Sequence, residues 1–158
     1  MNQDGRIPDE ARQGDILAIE DLAISYAHAV DDRDWGRWET LFTPDAVVDY
    51  TSAGGIMGNP AELAAWFPEA FAAFEWCMHS MSTHEIRFSG EDEATGRVHV
   101  LNRNGVRVDG RAEILDIGAV YQDRYVRQDG RWLFAERIEH TRYIDGGKFA
   151  EMLKGTVG

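Results

Sequence analysis

The sequence predicts an α+β protein in which three N-terminal helices pack on a strongly curved, mostly antiparallel sheet. Three observations predict this class. Apolar residues recur at helical spacing in the first half of the chain, they alternate with polar residues after Trp76, and turn-forming sequences join the alternating segments. Helices that precede a long antiparallel sheet are typical of this class, because the twisted sheet can curl around them.

Apolar spacing and capping residues place the three helices. The first is predicted over 16–31, where apolar residues recur every three to four positions, and we expect it to end near Asp31. The second, over 35–42, carries its tryptophans on one stripe and stops at Thr43-Pro44. The third begins at Asn59, which is followed by a proline and, three residues after the cap, by an acid.

The remaining segments read as strands. A short strand is predicted at 47–50, before the turn-forming residues 52–55. Longer strands are predicted at 80–88, 96–107, 112–127 and 131–141. Asp109-Gly110 and Asp129-Gly130 have the sequence of tight hairpin turns, so the long strands should form an antiparallel meander.

Length, charge and cysteine content restrict the protein class. A chain of 158 residues suits one domain, expected over 15–145, with an N-terminal arm at 1–14 and a segment at 146–158 as a candidate pocket cap. The net charge of −12 disfavours nucleic acids and anionic membranes as partners. A single cysteine, Cys77, and no signal-peptide pattern favour a reducing, cytoplasmic location.

No motif for a metal or a nucleotide is visible. The five histidines are scattered and no pair has metal-ligand spacing on a helix, while a glycine-rich phosphate loop and a nucleophile elbow are both absent. We therefore expect no cofactor and a small-molecule substrate.

Three residues are candidates for chemistry on their own pattern. Asp31 ends the first helix, where the negative end of the helix dipole opposes a carboxylate, and such conflicts tend to mark functional sites. His79 and His84 are five residues apart, so a regular strand would point them to opposite faces and at most one would be catalytic. The plain alternatives are a solvated acid and structural histidines.

Aromatic residues are crowded into the helical half of the chain. Most must belong to the core, but a subset that includes Trp66 could line an apolar pocket for a ring-shaped substrate.

Four segments, in order, resemble the scytalone dehydratase-like and SnoaL-like proteins of the NTF2-like superfamily. They are the helix end 26–35, the strand Val48-Asp49-Tyr50, His79 after the third helix, and the hairpin 125–132. The resemblance spans about 15–145 and implies a cone-shaped fold that encloses a pocket.

The resemblance also implies roles for individual residues. Asp31 would orient and polarise His79, His79 would be the general base, and Tyr50 would polarise a substrate carbonyl. A family member that dehydrochlorinates hexachlorocyclohexane uses a similar Asp-His pair. The residues expected to bind substrate are Tyr26, Asn104, Tyr121, Trp66 and His84. A second tyrosine of scytalone dehydratase is Val30 here, so the substrate should differ.

The predicted function is a cofactor-independent, dehydratase-like lyase that acts on a small, largely apolar, hydroxylated cyclic or aromatic compound. Three alternatives remain open: a lyase that deformylates lignin-derived diaryl compounds, an isomerase like ketosteroid isomerase or the polyketide cyclases, and a non-catalytic subunit like the β subunit of ring-hydroxylating oxygenases. We also expect a homo-oligomer, a trimer or a dimer, because the outer face of a curled sheet exposes apolar side chains.

Overall fold

A computed structural model of the protein describes residues 12–155. Its elements are α1 (Gln13–Asp31), α2 (Trp35–Glu39), β1 (Phe42–Asp49), a 3₁₀ turn (Thr51–Ala53), β2 (Met57–Gly58), α3 (Pro60–Ala70), β3 (Phe74–Phe88), β4 (Glu93–Val108), β5 (Arg111–Gln128), β6 (Arg131–Asp145) and α4 (Gly147–Lys154). The predicted α+β class is confirmed, with the helices packed on a curved six-stranded sheet.

The sheet has the strand order β2-β1-β6-β5-β4-β3. The last four strands of the chain form the predicted antiparallel meander, while β1 pairs in parallel with β6. Both Asp-Gly hairpins have positive φ at their central residues, 50° and 77° for Asp109-Gly110 and 50° and 75° for Asp129-Gly130. These are the torsions that a two-residue turn needs between twisted strands.

Helix α1 ends sharply after Asp31. The amide of Asp34 donates to the carbonyl of Ala29 at 2.9 Å and that of Arg33 to Val30 at 3.0 Å, and Arg33 has a φ of 55°. This is the Schellman arrangement, which turns the chain away from the helix axis. Helix α1 starts at Gln13, within the predicted arm at 1–14, and residues 1–11 of that arm lie outside the described residues.

The second helix is shorter than predicted. It ends at Glu39, and Phe42 already pairs with Phe134 of β6 as the first residue of β1. The aromatic spacing misled the prediction because Phe42 faces the same core as Trp38, their ring centroids lying 4.4 Å apart, although it belongs to a strand.

Helix α3 begins where its cap was predicted. The Asn59 side chain accepts from the Glu62 amide at 3.0 Å, and the Glu62 carboxylate accepts from the Asn59 amide at 2.9 Å, with Pro60 at the first helical position. This capping box fixes the start of the helix.

The core lies between the helices and the concave face of the sheet. A smaller cluster under α4 joins Val106, Leu115 and Ile117 to Ala150. No helix within 12–155 has both the length and the apolar character that crossing a membrane requires.

Candidate active site

A cavity of about 240 Å³ opens on the concave side of the sheet. Its wall is rich in aromatic side chains: Tyr26, Tyr50, Trp66, Phe67, Phe71, Phe74 and Tyr121. The polar groups at the wall include His79, Asn102 and Glu139. Leu153 of α4 is also part of the wall. An apolar cavity with a few placed polar groups is the usual form of a small-molecule site.

Asp31 and His79 are in direct contact at this cavity. The Nδ1 atom of His79 lies 2.6 Å from Oδ1 of Asp31, and the backbone amide of His79 donates to both carboxylate oxygens at 3.1 and 3.0 Å. The His79 side chain is 3% exposed and that of Asp31 is 19% exposed. These three hydrogen bonds thus offset the unfavourable interaction between the Asp31 carboxylate and the negative end of the α1 dipole.

This contact determines what the imidazole can do. In the neutral ring, an Nδ1–H that donates to Asp31 leaves the lone pair on Nε2. Because the His79 side chain lines the cavity, that lone pair can accept a proton from a bound molecule, and Asp31 stabilises the charge that results.

Three buried tyrosines lie beside the pair. The hydroxyl oxygens of Tyr26 and Tyr50 are 2.7 Å apart, and the rings of Tyr26 and Tyr121 meet edge to face at 5.9 Å. Burial raises the pKa of each phenol, and those of Tyr50 and Tyr121 lie well above the usual value. All three are therefore neutral at neutral pH and can serve as hydrogen-bond donors.

Arg137 lies behind the tyrosines and is fully buried. Its Nε and Nη2 atoms donate to the two carboxylate oxygens of Asp123 at 2.8 and 2.7 Å. Its guanidinium carbon lies 4.1 Å from the ring centre of Tyr26 and 4.3 Å from that of Tyr121. A fixed positive charge at this position favours negative charge that develops among the phenols.

Glu139 is a second acid at the cavity, and sequence analysis missed it. The residue is 9% exposed, and it is the strand partner of Tyr121. Burial raises the pKa of its carboxyl group to about 7. Trp132 and Phe134 face the core, and regular alternation from them would point Glu139 outward. The β5–β6 pairing is irregular, however, because Tyr125 pairs with Phe134 and Arg124 with Glu136, which leaves one extra residue in β6. Beyond this insertion, Arg137 and Glu139 are the residues that face inward.

Three of the residues predicted to bind substrate, Tyr26, Tyr121 and Trp66, lie at the cavity wall. Asn104 does not, although it is fully buried, and neither polar atom of its side chain has a partner within the described residues. Asn102, two positions earlier on the same face of β4, lines the cavity instead.

The predicted orientation of His84 is wrong because β3 is not regular. The pairing passes from Ser82 and His99 to Glu85 and Arg97, so one extra residue is inserted, and Thr83 has a φ of 51°. This bulge turns His84 to the same side of the sheet as His79. There Nε2 of His84 lies 3.0 Å from the hydroxyl of Tyr125, away from the cavity wall.

Across residues 12–155, no three side chains of the histidine, cysteine, aspartate and glutamate types converge in a way that could hold a metal ion. The ionisable side chains at the cavity wall are those of His79, Glu139 and three tyrosines, and Arg137 is buried behind the tyrosines.

Comparison with known proteins identifies the family. The model of the SnoaL-like domain matches residues 11–138, most of the chain. An uncharacterized protein of Mycobacterium tuberculosis is 32% identical over 129 residues, which cover 82% of this chain and 86% of that protein.

A relative with a named activity is equally similar. The gamma-hexachlorocyclohexane dehydrochlorinase of Sphingobium indicum is 32% identical over 127 residues, 80% of each chain. The crystal structure of a type 2 hexachlorocyclohexane dehydrochlorinase superposes with a TM-score of 0.77 at 25% identity, covering 88% of this chain and 93% of that one. The predicted family is confirmed, and the chain belongs to the SnoaL-like family of NTF2-like proteins.

Proposed function

We propose that the protein is a cofactor-independent lyase in which His79 removes a carbon-bound proton from a small, largely apolar, hydroxylated cyclic or aromatic compound. The main support for the proposal is the 2.6 Å contact between Nδ1 of His79 and Oδ1 of Asp31, together with the position of the His79 side chain in the wall of an aromatic cavity. Proton transfer by a positioned base accelerates a reaction by about 10²–10⁴-fold.

The remaining groups have distinct roles in this reaction. Removal of a proton next to a carbonyl leaves negative charge on oxygen, and the hydroxyls of Tyr50, Tyr26 and Tyr121 are the donors that would receive it. Arg137 stabilises that charge through the rings of Tyr26 and Tyr121, without leaving its ion pair with Asp123.

The relative of known activity supports the reaction class. A dehydrochlorinase breaks a carbon–hydrogen and a carbon–chlorine bond in an elimination, and this protein shares 32% of its residues over most of both chains. Loss of formaldehyde from a diaryl compound and isomerisation would begin with the same base, so both remain alternatives. A purely structural subunit would not need the Asp31–His79 pair.

A mass-resolved screen separates these reactions. We expect hydroxylated cyclic and aromatic compounds to be converted to products that are lighter by one water. Loss of formaldehyde would indicate the deformylating reaction, and a product of unchanged mass would indicate an isomerase. The His79→Ala protein is the control, since conversion that persists in it would mean that another group is the base.

We also propose that the protein is a homo-oligomer, a trimer or a dimer. On the outer face of the sheet, Trp76 lies over Gly105 and Tyr143 lies over Gly118, and these two aromatic residues are 44% and 49% exposed. Light scattering should give two or three times 17.8 kDa. The mass of a single chain at micromolar concentration would contradict this prediction.

A further inference from the structure

We infer that Glu139 is the proton donor to the leaving group, so that the natural substrate loses an oxygen leaving group rather than a halide. The inference rests on the proposed lyase function and deepens it, since it names the chemical class of the bond that breaks.

Glu139 and His79 reach the cavity from separate strands. Glu139 lies on β6 and His79 on β3, with β5 and β4 between them. Adjacent strands are about 4.8 Å apart, so the two groups contact different parts of a bound molecule. This separation suits an elimination in which one atom loses a proton and another departs with its bonding electrons.

The 3₁₀ turn holds Glu139 in place. The pairing of β1 with β6 ends at Asp49 and Ile138, which would leave the edge of β6 open at Glu139. Ser52 closes that edge: its hydroxyl donates to the carbonyl of Glu139 at 2.8 Å and accepts from the amide of Thr141 at 3.0 Å. The side chain therefore projects from a fixed backbone.

The surroundings of the Glu139 carboxyl favour its neutral form. No ion pair involves it among residues 12–155, and Arg137, a buried cation on the same strand, is bound through two nitrogens to Asp123. The hydroxyl of Thr141 is 3.4 Å away, a weak contact. A buried carboxyl without a close cation or strong donors is more stable when protonated.

The pKa agrees with this geometry. Burial is the largest cause that raises the Glu139 pKa to about 7, while Thr141 and Arg137 lower it and Asp49 raises it. The other ionisable groups coupled to it are Tyr26, Tyr50 and Tyr121, all neutral phenols at neutral pH. The protonated fraction is therefore large below pH 7 and falls as the pH rises through about 7.

The reaction balances with this acid. Nε2 of His79 takes the carbon-bound proton, the electrons of that carbon–hydrogen bond form the new double bond, and the carbon–oxygen bond breaks towards oxygen. That oxygen takes the Glu139 proton and leaves as water. His79 is then protonated and Glu139 ionised, and exchange with solvent resets both groups.

The identity of the leaving group decides whether such an acid is needed. Chloride is the anion of a strong acid and departs without a proton, whereas hydroxide is a poor leaving group until it is protonated. A cavity that keeps a carboxylic acid neutral near pH 7 is thus suited to the elimination of water from an alcohol. A dehydrochlorination would not need that acid.

An infrared titration of the whole protein tests the protonation state without any substrate. The difference between Glu139→Gln and the unmodified protein should contain the carbonyl stretch of a protonated carboxylic acid at pH 6, and this band should fade with a midpoint near pH 7. A Glu139 that is already ionised at pH 5 would overturn the inference. Glu136→Gln, an acid on the outer side of the same strand, is the matched control and should leave that band unchanged.

A pair of substrates tests the role. For a hydroxylated compound that the screen finds and its chlorinated analogue of the same carbon skeleton, Glu139→Gln should lower loss of water by about 10²–10⁴-fold more than loss of chloride. It should also remove the decline in the rate of dehydration above pH 7. Equal effects on both leaving groups, or none on either, would overturn the inference. Full activity of His79→Ala would instead defeat the proposed function and leave the infrared result standing.

Discussion

Replacement of His79 with alanine is expected to lower the turnover number by about 10²–10⁴-fold, the typical contribution of a positioned general base. The physical reason is that no other histidine lines the cavity among residues 12–155. The Michaelis constant should change little, because the aromatic wall that binds the substrate remains. Steady-state kinetics on a compound found by the screen, with circular dichroism to confirm folding, measure both.

His84→Ala is the matched control for this prediction. His84 also faces the concave side of the sheet, but it contacts Tyr125 and lies outside the cavity wall. Its loss should cost much less turnover than the loss of His79. A larger loss in His84→Ala would mean that the base has been assigned to the wrong histidine.

Arg137→Met should lower the free energy of unfolding by about 3–5 kcal/mol, the largest stability effect that we predict. Methionine fills a similar volume, but it leaves the Asp123 carboxylate fully buried without its cation. Urea unfolding monitored by tryptophan fluorescence measures the change.

Arg103→Met provides the comparison. Arg103 makes an equally short two-nitrogen pair with Asp116, at 2.7 and 2.9 Å, but its side chain is 41% exposed. Its removal should cost only about 0–1 kcal/mol, because solvent replaces the lost partner. If the two substitutions lowered the free energy of unfolding equally, burial would not determine how much the Arg137–Asp123 pair contributes to stability.

Much of the fold could be predicted from local signals. The change from helical to alternating spacing was predicted after Trp76, with a strand from residue 80, whereas β3 already begins at Phe74. The Asn59 cap and the Asp-Gly turns depend on residues close in sequence, and each is found where it was expected. The end of α2 was predicted wrongly, because an aromatic residue that faces the core, such as Phe42, fits a helix and a strand equally well.

The wrong orientation of His84 and the omission of Glu139 have one physical cause. Sequence alternation assumes that strands are regular, and an inserted residue reverses the facing of all residues beyond it. The bulge in β3 turned His84 inward, and the irregularity at Phe134 did the same to Glu139. Neither insertion has a local signature such as a glycine, so the two orientations required the pairing of neighbouring strands.

Asp31 could be recognised from the sequence as a candidate site residue because its conflict with the helix dipole is local. The groups that resolve this conflict, the backbone amide and the ring of His79, lie 48 residues away and could not be identified from local sequence. The ion pair of Arg137 with Asp123 is similar. It joins two strands through their pairing, and an arginine in an alternating segment resembles an ordinary surface residue until that pairing is known.

A double-mutant cycle at Asp31 and His79 tests the central claim most directly. Asp31→Asn should strongly impair turnover, since the ring loses the carboxylate that orients it and stabilises its charged form. If the two residues act as one base, the double mutant should be scarcely slower than His79→Ala alone. Losses that multiply in the double mutant would show two independent groups and contradict the account.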